Sequence, residues 1–221
     1  MAGNPFYSIR LNDAHPELQF LEASACCITK LHFSCSAKDL LPSLLVLNLN
    51  HNGIKDIRPL RHMPQLKHLL LFGNRISDIT MVVKLAATLP LLETFDLRFT
   101  NYCSSAINGY TRYNPCTNHF YEIILPSDEH TFCFTGAPYQ IDPTWVRQDA
   151  SFRSKMDPRI AMSREAYRNS VILVGKSILE LDGIPVPSEQ RQRSKKVLDA
   201  FHKGQNSLGS SADILQARPL Y

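Results

Sequence analysis

The chain has 221 residues, of which 44% are apolar and 20% charged, and its formal net charge is +4. That length and composition suit one globular domain with appendages. So mild a charge does not by itself imply nucleic acid, and no apolar run approaches the roughly 18 residues of a membrane span.

Residues 1–17 read as an N-terminal leader. The stretch MAGNPFYSIRLNDAHP has no apolar core of the kind a secretory signal needs. None of the six cysteines forms a C-x-x-C pair. The expectation is a cytoplasmic protein with free thiols.

Residues 18–100 are periodic. Leu44, Leu47, Leu49, Asn52 and Ile54 follow L-x-x-L-x-L-x-x-N-x-I, and Leu66, Leu69, Leu71, Asn74 and Ile76 repeat it 22 residues later. An earlier copy holds Leu18, Leu21, Ala23, Cys26, Ile28 and Leu31, with Cys26 at the Asn position. A fourth copy begins at Leu92 with Phe95 and Leu97, and its Asn position falls on Thr100 beside Asn101. The L-x-L-x-x-N core alternates as a short strand does and lacks the i, i+3, i+4, i+7 spacing of an amphipathic helix. This pattern at this period is the signature of a leucine-rich repeat. Neither the strand nor the return arm of one unit can bury its leucines alone, so units must stack on a shared core. The Asn of each unit is expected to satisfy backbone groups where the strand bends away. The segment ITMVVKLAATLP, residues 79–90, has apolar residues at helical spacing and predicts a helix on the convex side. The predicted fold class is α/β: a leucine-rich repeat solenoid with a short curved parallel sheet, an irregular or helical convex side and a helical C-terminal cap.

The pattern stops at residues 101–140, which are polar, aromatic and rich in turn residues and read as an irregular insertion. Residues 141–203 read as the cap and last repeat. Arg147 to Val174 is expected to be helical with a break near Asp157-Pro158. Ile178, Leu179 and Leu181 suggest a last short strand, and Asp182-Gly183 a turn. Ser188 is expected to cap a final helix that runs to about His202 and ends at Gly204. The tail, 204–221, is expected to be disordered.

Residues flanking the buried leucines of each strand should face the concave side and stack in three columns. The first is Phe20, Val46, His68 and Thr94; the second is Glu22, Asn48, Leu70 and Asp96; the third is Ser24, Asn50, Phe72 and Arg98. The partner-binding residues expected from these columns are Val46, Asn48, Asn50, His68, Leu70, Phe72, Thr94, Asp96 and Arg98. Leu70 and Phe72 read as an exposed apolar pair rimmed by polar residues, as at an interface core.

Catalytic patterns are weak. Val174-Gly175-Lys176-Ser177 imitates the end of a phosphate loop but has Ser170 where the earlier glycine belongs. His130 and Cys133, with Cys116 and His119 nearby, make half a zinc motif. No Gly-flanked nucleophilic serine or catalytic carboxylate pair is recognisable. The expectation is a non-enzymatic module with no cofactor and no metal. Its partners should be other proteins, signalling or cytoskeletal, and neither nucleic acid nor membrane. The alternatives are a regulatory subunit, phosphatase- or dynein-associated, and a metal-binding or enzymatic function in the insertion.

The segment YRNSVILVGKSILELDGIPVPSEQR, with Tyr167, Arg168, Val171, Ile178, Leu181, Asp182, Gly183, Pro185, Val186, Glu189 and Arg191, resembles the C-terminal cap of intracellular leucine-rich repeat proteins. More narrowly, the order LNLNHNGIKDIRPL, LKHLLLFGNRI, FDLRF, NPCTNHFY, W-x-x-x-D-x-x-FR and YR resembles the C-terminal repeat domain of fungal spindle-pole-body scaffolds. These serve septation initiation and mitotic exit and are related to centriolin. The resemblance implies a scaffold that anchors signalling proteins at the spindle pole body. In that family Asp96-Leu97-Arg98 would lead directly into Asn-Pro and Phe-Tyr. Here Asn114-Pro115 and Phe120-Tyr121 follow an added stretch from Thr100 to Tyr113, an inserted loop or an untrimmed intron.

Overall fold

The computed structural model describes residues 4–98, 143–155 and 157–196. Thr100 at the fourth Asn position, the insertion at 101–140 with Asn101, Asn114 and the half zinc motif, and the tail at 204–221 lie outside them. Among the described residues no helix is long and apolar enough to cross a membrane.

The first compact unit is mixed α/β and runs to Val186. Its elements are β1 (Ser8–Leu11), β2 (Phe20–Glu22), β3 (Lys30–Phe33), α1 (Ala37–Leu40), β4 (Val46–Asn48), a 3-10 turn (Arg58–Leu60), β5 (His68–Leu70), α2 (Ile79–Ala86), β6 (Thr94–Asp96), α3 (Pro143–Arg153), α4 (Pro158–Val174), β7 (Glu180–Leu181) and β8 (Ile184–Pro185). A six-stranded sheet has the order β2-β4-β5-β6-β7-β8. Its strands are parallel as far as β7, and β8 folds back antiparallel.

The register follows the repeat. Leu21, Leu47, Leu69, Phe95 and Leu181 pair in one row, and all but the half-buried Leu21 are in the buried core. Strands of three residues bury little alone, so the shared row supplies the hydrophobic gain, about 1.5–3 kcal/mol per fully buried large apolar side chain. The leader holds a strand the sequence reading did not foresee. β1 pairs in parallel with β3 in a separate two-stranded sheet, Ile9 opposite Leu31 and Leu11 opposite Phe33.

Each bend is made the same way. Ala25, His51 and Gly73 sit at φ 52, 53 and 69°, and each precedes the Asn-position residue, Cys26, Asn52 or Asn74. A left-handed residue turns the chain out of the strand and carries the next side chain inward. At Gly73 a Cβ would also stand 3.0 Å from His51 Nδ1 and 3.3 Å from its Cα, so glycine there relieves both the φ strain and the crowding. The inward amides then act as expected. Asn52 Oδ1 accepts from Cys26 N (3.1 Å) and Ile28 N (2.9 Å), while its Nδ2 donates to the carbonyls of Ala23 (2.9 Å), Leu49 (2.9 Å) and Asn50 (3.1 Å). Asn74 Oδ1 accepts from Ile54 N (3.1 Å), and its Nδ2 donates to Leu49 O (2.8 Å) and Leu71 O (2.9 Å). Each asparagine therefore ties its own bend to the preceding coil.

The predicted helix after β5 is α2. Asp78 caps it through Met81 N (3.1 Å), and Val82, Leu85 and Ala86 face the core. The long helical stretch is broken after Arg153, where Ser154 and Lys155 form a turn, and Pro158 begins α4. Proline suits the first turn of a helix, where its missing N–H costs nothing. α4 packs against α2 and buries Tyr167, Val171 and Ile172 in the core. The imitation phosphate loop has a packing role: a Cβ on Gly175 would come 2.3 Å from Ile178 Cδ1 and 3.1 Å from Val171 O. Ser177 Oγ donates to Pro90 O at 2.6 Å. The last repeat strand is shorter than expected, since Leu179 lies outside β7 and is exposed.

The second unit begins at Pro187. Its described part is a helix, α5, over residues 188–196, held at its start by Gln190 N donating to Pro187 O at 3.0 Å. Ser188 is thus its first helical residue and not its cap, one position from expectation.

Candidate functional site

The strand face is the candidate site, and the register assembles it. Phe20, Val46, His68 and Thr94 pair in sequence across the sheet, and Glu180 of β7 completes that column. Glu22, Asn48, Leu70 and Asp96 form the second column. Ser24, Asn50, Phe72 and Arg98 follow two residues later. All nine predicted residues therefore share one face.

Their exposure departs from expectation. Eight of the nine are buried, and His68 is half-buried. Leu70 and Phe72, expected to be an exposed apolar pair, are 1% and 5% exposed. The polar members are turned onto one another. Glu22 Oε1 accepts from Ser24 N (3.1 Å), Asn48 Oδ1 from Asn50 N (3.0 Å) and Asp96 Oδ1 from Arg98 N (3.1 Å). In three coils, then, the second-column side chain holds the backbone two residues on, as Asn and Asp do in turns. Leu70 has no acceptor, and the missing bond is supplied from the coil before: Phe72 N donates to Asn50 Oδ1 at 2.9 Å. Asn48 Nδ2 donates to Glu22 Oε2 (2.7 Å), and His68 Nδ1 lies 3.1 Å from Thr94 Oγ1. Burial holds His68 below the usual histidine pKa. Phe72 meets the His51 ring edge-on at 4.7 Å, and the Arg98 guanidinium lies 5.7 Å from its centroid.

Toward β7 the face becomes ionisable. Arg98 forks onto Asp96, Nε to Oδ1 at 2.9 Å and Nη2 to Oδ2 at 2.7 Å, with both side chains buried. Burial opposes the Arg98 charge, but Asp96, Asp182 and Glu180 outweigh it and hold the pKa up. Asp182, at φ 56°, accepts from Leu97 N and from Tyr167 Oη, both at 2.9 Å. Arg168 Nη1 donates to Leu181 O at 3.0 Å. Burial, with Asp96 nearby, pushes Glu180 up to about 7 and Asp182 up to about 6. Burial and Asp182 raise the Tyr167 hydroxyl well above its ordinary value. Behind this end, Asp149 of α3 pairs with Arg164 of α4 and with Arg153.

The sequence reading missed Glu180, Asp182 and Tyr167 as parts of this network. The L-D-G motif marked Asp182 as a turn, but only the register carries Glu180 into the column of Thr94. The arrangement can brace and display a surface. Among the described residues no group of three or more His, Cys, Asp or Glu could hold a metal.

No family model matches the chain. It is similar to the septation initiation network scaffold protein cdc11 of Schizosaccharomyces pombe, 27% identical over 154 residues. The match covers 68% of this chain and 14% of that protein, so the chain is similar to a small part of a much longer scaffold.

Proposed function

We propose that the chain is a leucine-rich repeat solenoid that binds other proteins and contributes to a scaffold for septation initiation, without catalysing a reaction. The observation that carries this is the similarity to a septation scaffold over 154 residues. The in-register row of leucines and the asparagine-braced bends support the repeat reading. On this reading the module works in the cytoplasm, at the spindle pole body, and concentrates signalling partners there. Partners dock on the strand face around its accessible positions, with Phe20 (55% exposed) and the half-buried Glu22 and His68 available at the surface.

The test is a chimera in fission yeast in which this chain replaces the matching segment of cdc11. Septation should be supported at normal expression, and Phe20→Glu with His68→Ala should weaken it while the isolated chain still unfolds in one cooperative thermal transition. A well-expressed chimera that cannot septate overturns the scaffold reading. Full activity of the Phe20→Glu, His68→Ala chimera overturns the choice of face. Leu70→Glu with Phe72→Glu is unsuited to this purpose, since it would bury two carboxylates and report on folding.

A further inference from the structure

A cleft of about 400 Å³ lies on the return side of the coils, between the Lys55–Arg61 segment that follows β4 and the start of α2. Lys55, Arg58, Arg61 and Lys84 line it against two carboxylates, Asp56 and Asp78. The carboxylates are already engaged. Asp56 is forked by Arg58, with Nη2 to Oδ2 at 2.6 Å, and Asp78 caps α2 through Met81 N. Lys55, Arg61 and Lys84 have no ion-pair partner among the described residues. Arg61 Nε is buried with no hydrogen-bond partner there. Such an orphaned donor is costly; no acceptor among the described residues offsets the Arg61 charge at Nε, and the guanidinium is left to act on the cleft it lines.

We propose that this cleft binds a phosphorylated serine or threonine of a partner peptide. Four cations against two carboxylates leave two positive charges uncompensated, which matches the roughly −1.5 to −2 of a phosphate monoester at pH 7. Arg61 offers the planar fork that takes phosphate oxygens bidentately, and Lys55 and Lys84 add point charges at the rim. Thr80, in the first turn of α2, also lines the cleft and carries a hydroxyl that can donate to a phosphate oxygen. The observations favour a peptide over a lipid or nucleic acid. None of the exposed large apolar residues, Tyr7, Phe20, Leu91 and Leu179, lines the cleft, so it lacks the apolar flank of a membrane contact. Its cations are gathered in one pocket and no aromatic side chain lines it, unlike a platform that tracks a nucleic-acid backbone. The site lies apart from the strand face and does not depend on the scaffold reading.

The test is fluorescence anisotropy of the full chain with a degenerate peptide pool carrying one central phosphoserine or phosphothreonine, compared with the same pool unphosphorylated. The phosphorylated pool should bind about tenfold tighter or more, the worth of one charge-assisted hydrogen bond. Added salt should narrow the difference, and excess inorganic phosphate should compete. Arg61→Gln should remove most of the preference. Lys55→Ala with Lys84→Ala, at two exposed positions, should weaken it without shifting the thermal melt. Equal binding of the two pools, or a preference that survives the lysine pair in a folded chain, overturns the proposal. So does binding of inorganic phosphate alone, of phosphatidylcholine vesicles carrying a phosphoinositide, or of single-stranded RNA, in the absence of phosphopeptide binding.

Discussion

The coils around Asn52 and Asn74 and the end formed by β6, β7 and α4 meet the same need with different chemistry. In both, a polar side chain reaches into the bend and satisfies backbone groups that would otherwise be buried unpaired. In the regular coils that side chain is a neutral amide, which accepts and donates at once and holds no charge. At the far end it is the carboxyl group of Asp182, accepting from Leu97 N and Tyr167 Oη beside Glu180, Asp96 and Arg98. An amide bend repeats without penalty because neighbouring amides do not repel. A charged bend needs cations and a phenol around it, so it suits a terminus where another element packs. The amide bends should therefore be insensitive to pH, and the carboxyl bend at this end sensitive to it.

The largest break in this comparison is expected from Asn52→Ala. It removes the shared acceptor of Cys26 N and Ile28 N, and at about 1–3 kcal/mol per lost buried bond the loss is roughly 2–6 kcal/mol. Chemical denaturation should show the same loss at pH 5 and pH 8. Leu69→Ala should cost roughly 2–5 kcal/mol, also independently of pH, because it removes only packing from the central row. Tyr167→Phe should cost about 1–3 kcal/mol by removing the donor to Asp182. Here the loss should be greater at pH 8 than at pH 5, since the bond is stronger to an ionised carboxyl.

The pH dependence itself probes the charged end alone. Glu180 and Asp182 have folded-state pKa values of about 7 and about 6, above the ordinary 4.5 and 3.8. Their contribution to stability is full below the ordinary values and is lost as pH rises through the folded ones. His68, held low by burial, acts in the opposite sense, giving up stability as pH falls below its ordinary 6.5. Asp56, held low by its hydrogen bonds to Arg58, acts only in stronger acid and is half-exposed. The useful quantity is the difference between the wild type and Glu180→Gln. The wild type should lose more stability than the variant between pH 5 and pH 8.

Much of the stack was legible in the sequence because repetition fixes register. Once Leu47 and Leu69 stand in the same phase 22 residues apart, parallel pairing of β4 with β5 follows, and Asn52 and Asn74 fall at equivalent bends. α2, the break before Pro158 and the Asp182-Gly183 turn were legible from caps, proline and turn chemistry. β1 was not, because its pairing with β3 is not repeated in the later coils. β8 was hidden by being two residues long and ending on Pro185, acceptable in an edge strand. The burial of Leu70 and Phe72 was not legible because alternation tells which face a side chain is on, not what lies over it. Glu180 was missed because 83 residues separate β6 from β7, which erases the period that would have aligned it with Thr94.

The most direct test of the contrast between the two ends is a carboxyl-carbon NMR titration of Glu180 and Asp182 in the folded chain. The account predicts midpoints near 7 and near 6, with the backbone amide of Leu97 shifting along with Asp182 while that of Ile54, bound to Asn74, stays still. Both carboxyls titrating in the ordinary range near 4, or Ile54 moving together with Leu97, would contradict it.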